Sequence, residues 1–235
     1  FAGQTWSRLC LAAFLSLYPA GSVFGQIVVN GGTVTVTNAD SYPSGTTAKN
    51  GTLAIDGGSI SGGSSNTIVG NVSGDNGTLS LLNSGKITHG QRYVGKSAGS
   101  TGTVTVNGVG STWTGTNFFV GDSGDRSLGI SNGGAASSSI SVIGNATGSS
   151  GGVTVSDAGS AWNNLFNVQV GNSGTGSLAI SNGATVSNTH ASVGAGSGGT
   201  GTVTISGSGS TWTSSSGIVL AGGASSTASL SITNG

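Results

Sequence analysis

A unit of about 25 residues recurs along this chain, and a fixed period constrains the architecture more than any single residue can. The stretch Gly102 to Gly134 reads GTVTVNGVGSTWTGTNFFVGDSGDRSLGISNGG. GVTVSDAGSAWN returns at 152–163, VGNSGTGSLAISNGATVS at 170–187 and GTVTISGSGSTWT at 201–213, with a worn copy, VGNVSGDNGTLSLLNSGKIT, at 69–88. Leu53, Leu79, Val104, Leu128, Val153, Leu178, Val203 and Leu230 open equivalent runs 24 to 27 residues apart. A second marker, Val-Gly or Ile-Gly, begins at Val69, Val94, Val120, Ile143, Val170 and Val193 and keeps nearly the same step. Trp113, Trp162 and Trp212 are 49 and 50 residues apart, so two kinds of coil alternate, one with Trp and one without.

Each coil holds three short extended pieces, in the Trp kind Thr103–Val106, Ser111–Thr114 and Asn117–Val120. The alternation Thr-Val-Thr-Val puts valines on one face and threonines on the other. Clusters of Gly, Asn, Asp and Ser separate the pieces, and these are turn residues. One such coil cannot bury its own apolar face. Stacking solves this, because each strand pairs with its copy one coil away, at about 4.8 Å. The expected fold is an all-β, parallel β-solenoid with three short strands per coil, Val and Leu inside and Thr and Ser outside. Eight coils make a rod of about 38 Å. Val104, Leu128, Val153, Leu178 and Val203 should form one inward column.

With 47 Gly in 235 residues, a flexible chain is the competing reading. The apolar residues, 34% of the chain, argue against it because they stay in register with the repeat. Six basic and six acidic side chains, none of them Glu, give a net charge of zero. Such a chain has no electrostatic footprint for nucleic acid or an anionic membrane. Low charge also leaves the open ends of a β-rod exposed to edge pairing.

The N-terminus departs from the repeat. Arg8 precedes the apolar run LCLAAFLSLY, residues 9–18, followed by Pro19, Ala20, Gly21, Ser22, Val23, Phe24 and Gly25. A basic residue, about ten apolar residues and a small-residue site make a secretory signal peptide over 1–25, with Val23-Phe24-Gly25 pointing to cleavage before Gln26 and Ala20-Gly21-Ser22 a second option. Such a run is too short to span a bilayer, which takes about 20 residues. Cys10, the single cysteine, lies inside it, so the mature chain has no thiol chemistry. Residues 26–50 read as an N-terminal cap or first coil, with a loop over 38–50 around Pro43, and 51–235 as continuous repeats. The chain opens without Met and stops in mid-repeat, so a longer parent protein is expected.

The stack also sets columns of polar residues. Asn71, Lys96, Asp122, Asn145, Asn172 and Ala195 follow the Val-Gly marker, which places Lys96 beside Asp122 as an exposed ion pair and lines up Asn side chains for a ladder. Asn83, Asn132, Asn182 and Asn234 recur at a Ser-Asn-Gly or similar turn. Arg92 falls in an inward slot, where Phe118 and Val168 sit in other coils, and implies either a bulge or an irregular coil.

No motif carries catalysis. Gly121-Asp122-Ser123-Gly124 matches the tetrapeptide around a protease nucleophile, which needs a His base and an orienting Asp. The same slot reads Gly171-Asn172-Ser173-Gly174 one repeat later, which makes it a turn of the unit. Gly148 to Gly152 fits G-x-S-x-G and Gly194 to Gly199 fits G-x-G-x-x-G, but neither has a strand–turn–helix context. His89 and His190 are four coils apart and cannot share a metal. Asp122 and Asp125, the one close carboxylate pair, read as solvated turn charges beside Arg126 rather than as a sugar-cleaving pair. No catalytic, cofactor-binding or metal-binding residue is therefore assigned. The three repeat tryptophans read either as core packing or as an exposed ladder that stacks on sugars.

The units G-T-V-T-V-x-G-x-G-S-T-W-T and V-G-x-S-G-x-G-S-L-x-I-S-N-G, best kept at 102–114, 170–187 and 201–213, resemble the passenger repeats of bacterial type V autotransporters. Similar repeats accompany the PEP-CTERM sorting tail. The resemblance covers about 51–235. It implies a secreted right-handed β-helix at the surface of a Gram-negative bacterium, acting in adhesion, with a C-terminal translocator barrel or sorting tail beyond this sequence. It carries no catalytic residues. The expected function is a structural, adhesin-like stalk whose partners are host or matrix glycans or surface proteins. The alternative is a β-helical carbohydrate-binding or carbohydrate-cleaving protein.

Overall fold

The computed structural model describes residues 9–10 and 26–234, which form an all-β parallel solenoid of about eight turns, roughly 25 residues each. The coil has three faces. The first runs from Thr33–Val36 through Thr101–Asn107 and Asp125–Ser131 to Thr227–Thr233, as one nine-stranded sheet. The second runs from Ala39–Ser41 through Thr112–Thr114 to Thr211–Ser214, and the third from Ile27–Val29 through Arg92–Val94 and Asn117–Val120 to Ile218–Leu220. Strands Ala135–Ile143 and Ala161–Val170 run unbroken through both of these faces and join them into one sheet, where the repeat had suggested separate pieces.

Residue alternation sets the register throughout. Val104 pairs with Leu79 and Leu128, Leu128 with Val153, Val153 with Leu178 and Leu178 with Val203, and all are buried. The intervening Thr and Ser point outward. Val69, Val94, Val120, Ile143, Val170 and Val193 stack in the same way on the third face.

The turns explain the markers. Every glycine of the Val-Gly marker has positive φ, from +65° at Gly95 to +75° at Gly121. A β-carbon at Gly171 would lie 2.1 Å from the Thr200 carbonyl oxygen of the next coil. Asn83, Asn132 and Asn182 also have φ near +50°, because Asn tolerates the left-handed region better than most side chains.

The reading of 38–50 as a loop is corrected. Ala39–Ser41 and Thr46–Ala48 are regular strands paired to the next coil. Their inward slots hold Asp40, Thr46 and, past the strand, Tyr42, so no apolar alternation announced them. Of residues 1–25, only Leu9–Cys10 is described, as a strand paired with Ile27 and Val28. The rest of the expected signal peptide lies outside the described residues.

Candidate functional site

Two regions concentrate chemistry, one inside the rod and one on its third face. Inside, the slots at the corner between the second and third faces are polar in successive coils. Arg92 is fully buried and in register with Thr67 below and Phe118 above, so it points inward without any bulge. Its Nη1 donates to the Trp113 carbonyl oxygen at 2.9 Å, while Nε and Nη2 find no hydrogen-bond partner among the described residues. Two ring faces take the charge instead, with the guanidinium carbon 4.7 Å from the Phe118 centroid and 5.7 Å from that of Trp113. Burial holds its pKa down at about 9.

His89 lies nearby, buried, with Nδ1 and the Thr67 hydroxyl joined by a 2.6 Å hydrogen bond. Gly62 leaves the space for it, since a β-carbon there would sit 2.3 Å from Nε2. Burial first, and the Arg92 charge second, push the imidazole down to about 4. Asp40, two strands further down, is raised by burial. Higher in the same corner, Ser138 and Ser141 both donate to Asn164 Oδ1 at 2.5 Å, and Trp212 Nε1 donates to Asn188 Oδ1 at 2.7 Å. Apart from half-buried Trp212, these groups are sealed in the interior. They specify how the corner packs and offer no path to a substrate.

The sequence-derived residues can now be placed. Trp113 and Trp162 are fully buried, alternating with Ala136 and Val186 in one inward column that ends at half-buried Trp212. This removes the exposed tryptophan ladder. His89 is interior and His190 exposed. The Asn ladder is present, with Asn145 Nδ2 donating to Asp122 Oδ1 at 2.7 Å and Asn172 Nδ2 to Asn145 Oδ1 at 3.0 Å. The expected Lys96–Asp122 ion pair is not made. Lys96 Nζ instead lies 5.3 Å from the Tyr93 ring centre. Arg126, next to Asp125, turns inward. It is buried in a column otherwise held by Gly77, Gly102, Gly151 and Gly176, with Nη2 donating to Ser100 Oγ at 3.2 Å. Burial lowers its pKa to about 10, against a smaller opposite pull from Asp125.

The third face carries what the repeat did not announce. Along the other two faces the outward side chains are mostly Ser, Thr and Asn. Here one column on the outer side of the strand holds half-buried Ile68, Tyr93, Phe119 and Gln169, with Val142 buried among them, in register through five coils. Tyr93 and Phe119 stack with centroids 5.1 Å apart and planes 8° from parallel. Two residues earlier, Asn66, Gln91, Asn117, Ile140 and Asn167 form a parallel outward column. Tyr93 Oη donates to Gln91 at 2.6 Å, and burial, then the Asp122 charge, raise the phenol's pKa. Beside Asn167 the corner holds one extra residue opposite Ser139, which exposes Leu165 and Phe166. The signal was in the sequence. Of Phe118 and Phe119, adjacent on one strand, one had to face outward.

Among the described residues, no three His, Cys, Asp or Glu side chains come together to hold a metal, and no helix is long and apolar enough to cross a membrane. Compared with family models, curated proteins and solved structures, the chain finds no match.

Proposed function

We propose that this chain is a structural rod displayed outside a Gram-negative cell, an adhesin-like stalk that holds a binding surface away from the membrane. One observation carries the reading. The interior slots of the described coils, with few exceptions, hold side chains that join one coil to the next, and the outside is mainly small hydroxyl and amide side chains. A parallel stack of this kind gains length and a repetitive surface with each added coil. Near-zero net charge suits contact with uncharged matrix better than with nucleic acid. The test is localisation in the producing bacterium. An antibody against residues 102–134 should label intact cells or the culture medium, and external protease should remove that label. Label confined to the cytoplasmic fraction would overturn the proposal.

A further inference from the structure

We infer that the third face binds a neutral, linear polysaccharide laid along the rod axis, one sugar residue per coil. Its column of Asn66, Gln91, Asn117 and Asn167, broken once by exposed Ile140 between the last two, runs beside the apolar ridge of Tyr93 and Phe119, about 7 Å away along the strands. Among the described residues, the side chains of Asn66, Asn117 and Asn167 make no hydrogen bond, so their donors and acceptors are open to a ligand. A carboxamide both donates and accepts, which suits hydroxyl groups. Tyr93 and Phe119 stack face to face along the rod, so their edges form an apolar shoulder beside that column. Neither column itself carries a charged side chain, and the charges beside it, Lys96 over the Tyr93 ring and Asp122, are of opposite sign. The repeat of the columns, about 4.8 Å, is close to the advance of an extended pyranose chain per residue.

Other occupants fit less well. From Asn66 to Asn167 the strip is about 19 Å long, so its two columns cover far less than the roughly 800 Å² that a stable protein partner buries. A peptide that adds to a β-sheet needs an open strand edge, and the flank of a solenoid presents a sheet face. A single polymer chain matches both the width and the repeat.

The inference rests on the surface-rod reading only for access to glycans outside the cell, and purified protein tests it independently of localisation. The probes are linear hexasaccharides of β-1,4-linked glucose, N-acetylglucosamine and mannose, with hexagalacturonate as the anionic comparison, followed by calorimetry. At least one neutral probe should bind, with affinity unchanged between low and high salt. Asn117→Ala combined with Asn167→Ala should weaken that binding at least tenfold while the melting temperature stays that of the parent. Thr103→Ala on the first face should bind as the parent does. Failure of all three neutral probes, binding of hexagalacturonate alone, or an unchanged affinity in the double variant would each overturn the assignment. Concentration-dependent self-association that is lost in Phe119→Ser would give the face to a second copy of the chain, and would overturn it too.

Discussion

Arg92 holds its guanidinium carbon 4.7 Å from the ring centre of Phe118, the residue directly above it in the next coil. The charge is fully buried, has one hydrogen bond through Nη1 and leaves two nitrogens unpaired. Ring faces return about 2 kcal/mol to a desolvated cation, which is less than burying an unpaired charge costs. An unbranched apolar side chain of similar length keeps the packing without the charge. Arg92→Met should therefore raise stability, by about 1–3 kcal/mol in urea titrations. A loss of stability of that size would show that the aromatic contacts outweigh desolvation.

His89 gives the rod an acid-sensitive step. Its folded pKa, about 4, lies below the unfolded 6.5, so the folded state keeps the ring neutral while the unfolded chain protonates. The stabilisation is complete above pH 6.5 and is lost as pH falls towards 4. The full span is of the order of 3 kcal/mol. Between pH 6.5 and 5 most carboxylates have not yet titrated, so the histidine dominates that window. Unfolding free energies of the parent should fall across it, and those of His89→Gln should stay flat. Equal slopes in the two proteins would contradict the burial of this ring.

The period, the strand positions and the inward columns were legible because one rule, alternation on a repeated strand, wrote them many times over. Single departures were harder to read. Arg92 fills an apolar slot, and only the aromatic residues of other coils and the glycines at 62 and 115 make room for the polar corner. Those partners are distant in sequence. The Lys96–Asp122 pair failed for a related reason. A shared offset places backbones one above another, but long side chains choose among several neighbours, and Lys96 took the Tyr93 ring. The outward aromatic column was readable from the residue before each Val-Gly marker, whereas the recurring tryptophans sit on the neighbouring strand and fill the core.

Asp122 accepts from Asn145 and makes no ion pair among the described residues. An asparagine there keeps an acceptor oxygen in place. Asp122→Asn should change the melting temperature little, by less than about 1 kcal/mol in free energy, because a half-buried charge that makes no ion pair is removed and its acceptor is kept. A larger loss would mean that the ladder needs the carboxylate.

Gly171 has φ of +72°, and its missing β-carbon would meet the backbone of the next coil at 2.1 Å. Carbonyl oxygens in a paired strand cannot retreat as a side chain can. Gly171→Ala should destabilise by about 4 kcal/mol or more, near the upper end for single substitutions. Asn182→Gly, also in the left-handed region at φ +55°, should be close to neutral. Thermal melts check both: a loss of only about 1–2 kcal/mol in Gly171→Ala, what the positive φ alone costs a side chain, would refute the clash.

Trp162 tests the core most directly. It is fully buried, and its ring meets Phe118 edge to face at 6.2 Å, as Trp113 does from the other side at 4.6 Å. Its column neighbours are Ala136 below and Val186 above. Neither is large enough to fill the space that a missing indole leaves. Trp162→Ala should cost about 3–5 kcal/mol. The indole N–H makes no hydrogen bond, so Trp162→Phe removes an unpaired donor along with part of the volume and should cost far less. Trp212 is half-buried, and its N–H donates to Asn188, so Trp212→Ala should fall below Trp162→Ala in cost. Urea titrations followed by circular dichroism check the order. A cost near zero for Trp162→Ala would place the ring on the surface and undo the inward register of the whole second face.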